Sequence, residues 1–193
     1  MLSELARKNR SIRRFDEQET VTDEALRSLI ELARFSAVGM NLQPLKFILS
    51  VDPETNRTIF PHLSWARRLR DWPGPEEGER PSAYVVILHD TTIRKTVSGC
   101  DHAIAAQSIL LGATEMGLGG CMIASVDREG LRETLGIPEH LEIPLVVAIG
   151  KPAETVVIDD LAPGGDTAYY RDRDDRLHVP KRGLDELILR SYS

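Results

Sequence analysis

The run SAYVVILHD at residues 82–90 constrains the fold more than any other stretch. It is short, continuously apolar and rich in β-branched residues, without the polar alternation of a half-solvated strand. Such a run reads as a buried strand. PLVVAIGKP at 144–152 has the same character and reads as a second buried strand. Between them lies HAIAAQSILLGATEMGLG, the clearest core helix, with Asp101 in its first turn or cap and Gly117 suited to stop it.

VTDEALRSLIELARF reads as another helix, with Thr22 as N-cap and Asp23 and Glu24 at its positive end. Ala25, Leu26, Leu29, Ile30 and Ala33 recur at helical spacing and form its buried face. It gives out at Ser36–Gly39, and Pro44 blocks continuation. A short helix is expected over 2–8, a strand over 46–51, and a helix starting at Pro53. CMIAS (121–125) reads as a short strand and DREGLRETLG (127–136) as a short helix. The stretch 155–182 reads as polar and irregular, and GLDELILRS (183–191) as a terminal helix. Residues 65–81 form a long surface excursion, either a functional lid or a solvated connector. The elements are mixed without regular strand–helix alternation, which argues against a doubly wound fold. The 193 residues suit one domain spanning 1–193.

The formal net charge of -6 argues against nucleic acid as the main partner, since backbone binding needs a net basic face. No apolar run approaches a membrane span, and the charged start MLSELARKNR has no signal-peptide core. No membrane association is therefore expected, and the cytoplasm is the expected location. Cys100 and Cys121 are too few for a disulfide framework and are expected as reduced, buried thiols.

Arg7, Lys8, Arg10, Arg13 and Arg14 cluster within eight positions of this acidic chain. Arginine forks bind phosphate oxygens, and Ser11 adds a hydroxyl donor. By itself, such a charge run is more commonly a solvated face paired with nearby carboxylates. GLGG (117–120) follows a helix and precedes a strand, the reverse of a dinucleotide loop, and reads as a helix cap and tight turn into CMIAS. The five histidines have no metal-ligand spacing, and neither a GxSxG elbow nor a Walker loop occurs. A phosphate-sized basic site without acid–base motifs fits an enzyme whose chemistry resides in a bound cofactor.

Several segments, in order, resemble the nitroreductase family: NRSIRRF (9–15), ARFSAVGMNLQPLKF (33–47), CDHAIAAQSILLGATEMGLGGCMIAS (100–125), LGIPEHLEIPLVVAIGKP (135–152) and HVPKRGLDELI (178–188). The resemblance implies an α+β three-layer sandwich with a central, mostly antiparallel sheet flanked by helices, in an intertwined homodimer with FMN at the subunit interface. It implies that Arg10, Ser11 and Arg13 approach the flavin phosphate, ribityl chain and pyrimidine edge, with Lys181 and Arg182 adding charge at the phosphate. Val38, Gly39 and Asn41 would lie beside the isoalloxazine, and Ile123, Ala124 and Ser125 near its N5 edge. Asn9 stands where many members carry arginine, and Ala37-Val38 replaces the usual Pro-Ser pair, removing a hydroxyl donor. The implied activity is hydride transfer from NADH or NADPH through flavin N5 to a small electron-poor acceptor (a nitroaromatic, quinone, enone or halogenated aromatic), with no catalytic side chain. An FMN carrier or redox sensor, and a cofactor-free dimeric interaction protein, remain alternatives. Trp65 and Trp72 read either as a wall that selects acceptors or as ordinary packing.

Overall fold

The computed structural model describes residues 1–66, 68–69, 72–96 and 99–192. The chain forms two compact units, one of Met1–Trp65 with Gly74–Ala153 and one of Ala66–Pro73 with Glu154–Ser193. Of the 65–81 stretch, residues 67, 70 and 71 lie outside the described ones.

The first unit is built on β3 (Ala83–Asp90), in which every residue is buried, as its apolar run requires. β3 pairs antiparallel with β2 (Leu45–Ser50) and with β5 (Leu141–Pro152). β5 in turn takes β4 (Gly119–Ile123) and β1 (Phe15–Asp16), also antiparallel. One face of this sheet is covered by α2 (Asp23–Arg34) and α4 (Asp101–Glu115). Leu26, Leu29 and Ala33 of α2 and Ala105, Ala106, Ile109 and Ala113 of α4 pack with Val85, Ile87, Val147 and Ile149 of the sheet. Full burial of a leucine or isoleucine contributes about 1.5–3 kcal/mol, so this layer dominates the unit's stability. Gly112 lets the helices meet: a Cβ there would lie 2.4 Å from Leu32 Cδ1 and 2.9 Å from Leu29 Cδ2. Thr22 caps α2 as expected, accepting the Ala25 N–H at 3.1 Å.

Shorter helices surround this core. They are α1 (Leu2–Lys8), α3 (Pro53–Ile59), capped by Asp52, and α5 (Arg128–Leu135), capped by Asp127 and ended by the left-handed Gly136. Trp65 is buried, with its ring 5.9 Å from that of Phe60, and packs as a core side chain.

The second unit holds β6 (Val156–Leu161), β7 (Tyr170–Arg171), β8 (Leu177–Arg182) and α6 (Leu184–Leu187). β8 is central, parallel to β6 and antiparallel to β7. This corrects the expectation of an irregular 155–182. The strands are mostly half-exposed, so no hydrophobic period announces them, and polar side chains select the pairing. The terminal helix is four residues rather than nine, because none of its apolar side chains is buried to support it. β4 begins at Gly119 rather than Cys121, since both glycines of GLGG after the cap join the ladder. Cys121 is buried as expected, whereas Cys100, at the exposed start of α4, is not. No helix of the described residues is long and apolar enough to cross a membrane.

Candidate functional site

The segment carrying the basic cluster runs extended from Asn9 and lies against β4. Ser11 forms a parallel bridge with Gly120, and the Ile12 N–H donates to the Gly120 carbonyl at 2.9 Å. Ile12 and Phe15 turn into the core, whereas Ser11 is exposed and Arg13 half-buried, so the polar side chains keep the outer face. Gly120 is required for this contact layer: a Cβ there would stand 2.5 Å from the Ala148 carbonyl oxygen.

Within the cluster, Lys8 pairs with Glu4 at 3.4 Å and Arg14 with Glu79 at 3.2 Å. Arg10 differs. Its Nε donates to the Asn9 carbonyl at 2.5 Å and its Nη2 to the Ala6 carbonyl at 2.9 Å, which caps the last turn of α1. Backbone carbonyls hold this guanidinium without neutralising it, so the positive charge stays available beside Ser11. The Arg13 Nη1 reaches the Ser11 carbonyl at 3.5 Å.

A second group of expected residues gathers at one end of the sheet, where β2 and β5 begin and β3 and β4 end. Val38, Gly39 and Asn41 form the loop before β2. Met40, Asn41 and Gln43 all have φ near +50° (54°, 54° and 52°), a left-handed conformation that side chains rarely adopt. Such strain costs about 1–3 kcal/mol per residue and concentrates at ligand sites. Gly39 is tied down by its N–H, which donates to Asp101 Oδ1 at 3.1 Å, while Asp101 Oδ2 accepts Arg94 Nη1 at 3.3 Å. The sequence placed Asp101 only as a helix-start residue. Its clamp on Gly39 joins positions 62 apart, and no local pattern records it.

Pairing of β4 with β5 stops at Ile123, which is buried, so the backbone of Ala124 and Ser125 leaves the ladder at this same end. The Ala124 carbonyl accepts Arg128 Nη2 at 3.0 Å, and the Ser125 carbonyl accepts the Ser64 N–H at 2.9 Å. Arg128 also binds the Val126 and Ile143 carbonyls, fixing this turn from three directions. Asp127 follows at once, and the Gly130 N–H and His62 hold its carboxyl below the usual carboxylate range.

Lys181 and Arg182 belong to the second unit, both exposed at the end of β8, with Arg182 Nε 3.3 Å from Glu186 Oε1. Among the described residues, no cluster of His, Cys, Asp or Glu is arranged to hold a metal ion.

A model of the nitroreductase family matches residues 6–151, which carry the basic segment, the strained loop and the Ile123–Ser125 turn but not Lys181 and Arg182. A Thermus thermophilus protein named NADH dehydrogenase is 29% identical over 177 residues, covering 77% of this chain and 85% of its own. The FMN reductase (NADPH) of Bacillus subtilis is 28% identical, over 75% of this chain and 63% of its own. Among solved structures, an FMN-dependent nitroreductase from Clostridium difficile superposes with a TM-score of 0.65 at 25% identity, covering 80% of this chain and 88% of that one. With most of its length matched by the family model and its fold shared with a solved relative, this chain belongs to the nitroreductase family.

Proposed function

We propose that the chain is an FMN-dependent oxidoreductase that takes electrons from NADH or NADPH and passes them to small electron-poor acceptors: nitroaromatics, quinones, enones or halogenated aromatics. The observation that carries this reading is the bridge between Ser11 and Gly120, which pins the segment bearing the un-neutralised Arg10 to β4. Gly120 and Ile123 are three strand residues apart, about 10 Å, a span that a ribityl chain can bridge. The residues therefore fit a flavin mononucleotide whose phosphate lies near Arg10, Ser11 and Arg13 and whose ring lies toward Ala124.

Bound FMN would supply two-electron hydride transfer between the nicotinamide donor and the acceptor. The protein's share is binding and orientation. Arg10 and Arg13 neutralise the phosphate with charge-assisted hydrogen bonds, and the Ser11 hydroxyl donates to it. The loop of Val38, Gly39 and Asn41, held by Asp101, offers a pre-set surface to the ring. The Ala124–Ser125 backbone, outside the ladder, has N–H groups to direct at a ring nitrogen. On the family resemblance, Lys181 and Arg182 are proposed as further phosphate ligands.

A second copy of the chain completes the reading. Phe35 and Met40 are 72% and 81% exposed in the first unit, and Leu184, Leu187 and Leu189 are exposed in the second. Apolar side chains left in water on this scale suit coverage by a partner subunit.

The test begins with colour. Purified protein should be yellow or turn yellow with FMN, and anaerobic NADH or NADPH should bleach it. A protein that stays colourless with excess FMN, or a flavin that stays oxidised with both donors, defeats the proposal. Arg10→Ala combined with Arg13→Ala should lose most bound flavin while light scattering still reports a dimer. An acceptor screen on the reduced protein then selects among the acceptor classes.

A further inference from the structure

A cavity of 360 Å³ opens in the first unit, near the Ser50 and Tyr84 end of the β2–β3 ladder. The strained loop of Gly39 adjoins the Leu45 and His89 end of the same ladder, five residues or about 17 Å away. None of the residues lining the cavity is assigned to the flavin.

Its polar lining holds two guanidiniums, Arg57 and Arg80, and the hydroxyls of Ser82 and Tyr84, beside two carboxylates, Glu17 and Glu77. Arg80 and Ser82 both line it, and Arg80 Nε and Ser82 Oγ are buried with no hydrogen-bond partner among the described residues. The Arg80 guanidinium lies over the Phe60 ring at 4.4 Å, which fixes its orientation without meeting its donors. Arg57 contributes a second guanidinium, whose Nε donates to the Pro53 carbonyl at 3.2 Å. Among the described residues, neither arginine forms an ion pair. Tyr84 also lines the cavity, and burial pushes its hydroxyl far above the ordinary value, so it stays protonated as a donor.

Of the acceptors in the lining, Asn56 and one oxygen of Glu17 are committed within the protein. Asn56 Oδ1 accepts Ser50 Oγ at 2.6 Å, and Asn56 Nδ2 donates to the Ser82 carbonyl at 2.8 Å. Glu17 Oε2 accepts the Gly78 N–H at 2.5 Å, and Glu77 is exposed. Arg57 is exposed and Arg80 half-buried, but Arg80 Nε and Ser82 Oγ are themselves buried, and a buried donor without an acceptor costs about 1–3 kcal/mol. In a chain of net charge -6, carboxylates are plentiful, yet these arginines have none among the described residues.

We propose that this cavity is a binding site for a small oxyanion, a carboxylate or a phosphate, received by Arg80, Arg57, Ser82 and Tyr84. Its volume is at the small end of ligand pockets, which suits a compact anion rather than a nucleotide. The proposal is independent of the flavin reading, since it uses other residues.

The test is a titration of the isotope-labelled, FMN-loaded protein with sodium phosphate and, separately, sodium acetate, at ionic strength held constant with chloride. The backbone amide resonances of Ser82 and Tyr84 are the readout, and flavin absorbance is followed in the same tube. A saturable shift with either anion is expected, and the anion that saturates tells phosphate from carboxylate chemistry. Arg80→Gln should weaken the binding about tenfold or more, as loss of a charge-assisted hydrogen bond implies. Ser82→Ala, which leaves the stack on Phe60 intact, should weaken it less and covers the case in which Arg80→Gln fails to fold. Flavin absorbance should be unchanged in both variants. Drift no larger than the chloride control, or saturation undiminished in the folded variants, overturns the proposal. A protein that binds no flavin is titrated in the same way, so the two proposals fail separately.

Discussion

The two units of this chain use the same backbone ladder but are held together by different forces. In the first, β3 is buried along its whole length and apolar side chains from two helices cover it. In the second, β6, β7 and β8 are joined by charges. His178 of β8 places Nδ1 2.9 Å from Asp159 of β6 and Nε2 3.0 Å from Asp172, just past β7, while Tyr170 stacks on its ring at 4.9 Å. Arg171 pairs with Glu154 at 2.6 Å, and the Glu154 side chain is only 2% exposed. A sheet whose strands are mostly half-exposed can still be specified by charges, but its stability then depends on protonation state, whereas an apolar core is indifferent to it.

Truncation should show the contrast most strongly. Leu29→Ala, in the fully buried layer of the first unit, should cost about 3 kcal/mol in urea unfolding. Glu154→Ala should cost somewhat less, and locally, because it leaves the largely buried Arg171 with only the exposed Asp175 carboxylate, at 3.5 Å. Hydrogen exchange separates them: the first change should speed exchange in β3 and α4, the second in β6 to β8. If Glu154→Ala instead leaves exchange in the second unit unaltered, charge is not what holds that sheet.

Gly120→Ala comes next, at about 1–3 kcal/mol, since the added methyl meets the rigid Ala148 carbonyl. The change should also weaken flavin binding by displacing Ser11, and a variant with native flavin affinity would detach the cofactor from this bridge.

The pH response sharpens the comparison. Asp159 first, and then Asp172, raise the pKa of His178, because only the imidazolium can donate from both ring nitrogens. Its stabilisation is complete below the ordinary histidine value and is lost as pH rises through the raised one. Burial opposes ionisation of Asp172, but the Arg176 N–H, His178 and the Arg176 guanidinium together hold it well below the usual range. Its share is present above the ordinary carboxylate value and lost as pH falls through the lowered one. Exchange protection in β6 to β8, corrected for the base catalysis of exchange itself, should therefore be greatest between the ordinary carboxylate and histidine values and fall on the alkaline side. His178→Gln should remove the alkaline change and leave β3 untouched. The smallest effect belongs to a single cap: Thr22→Ala should lower stability by about 1 kcal/mol, measurable as a modest drop in Tm.

Part of the candidate site is legible in the amino-acid sequence. NRSIRRF stands out because arginines crowd together in an acidic chain, and the Ser36–Gly39 helix end marks the loop that joins it in the site. The Asp101 clamp on Gly39, the Arg10 cap on α1 and the oxyanion cavity leave no such mark. Each joins residues through space or depends on where a guanidinium finds its acceptors. The strands of the second unit are hidden for a related reason, since His178 meets Asp159 across the sheet and not along the chain.

By itself the sequence determined most elements of the first unit and its family, because helix caps, apolar periods and uninterrupted β-branched runs act locally and leave their period in the chain. Only the tertiary structure decided which charges are neutralised and which are left for ligands. Electrostatic partnership falls off with distance in space, and separation along the chain does not measure it.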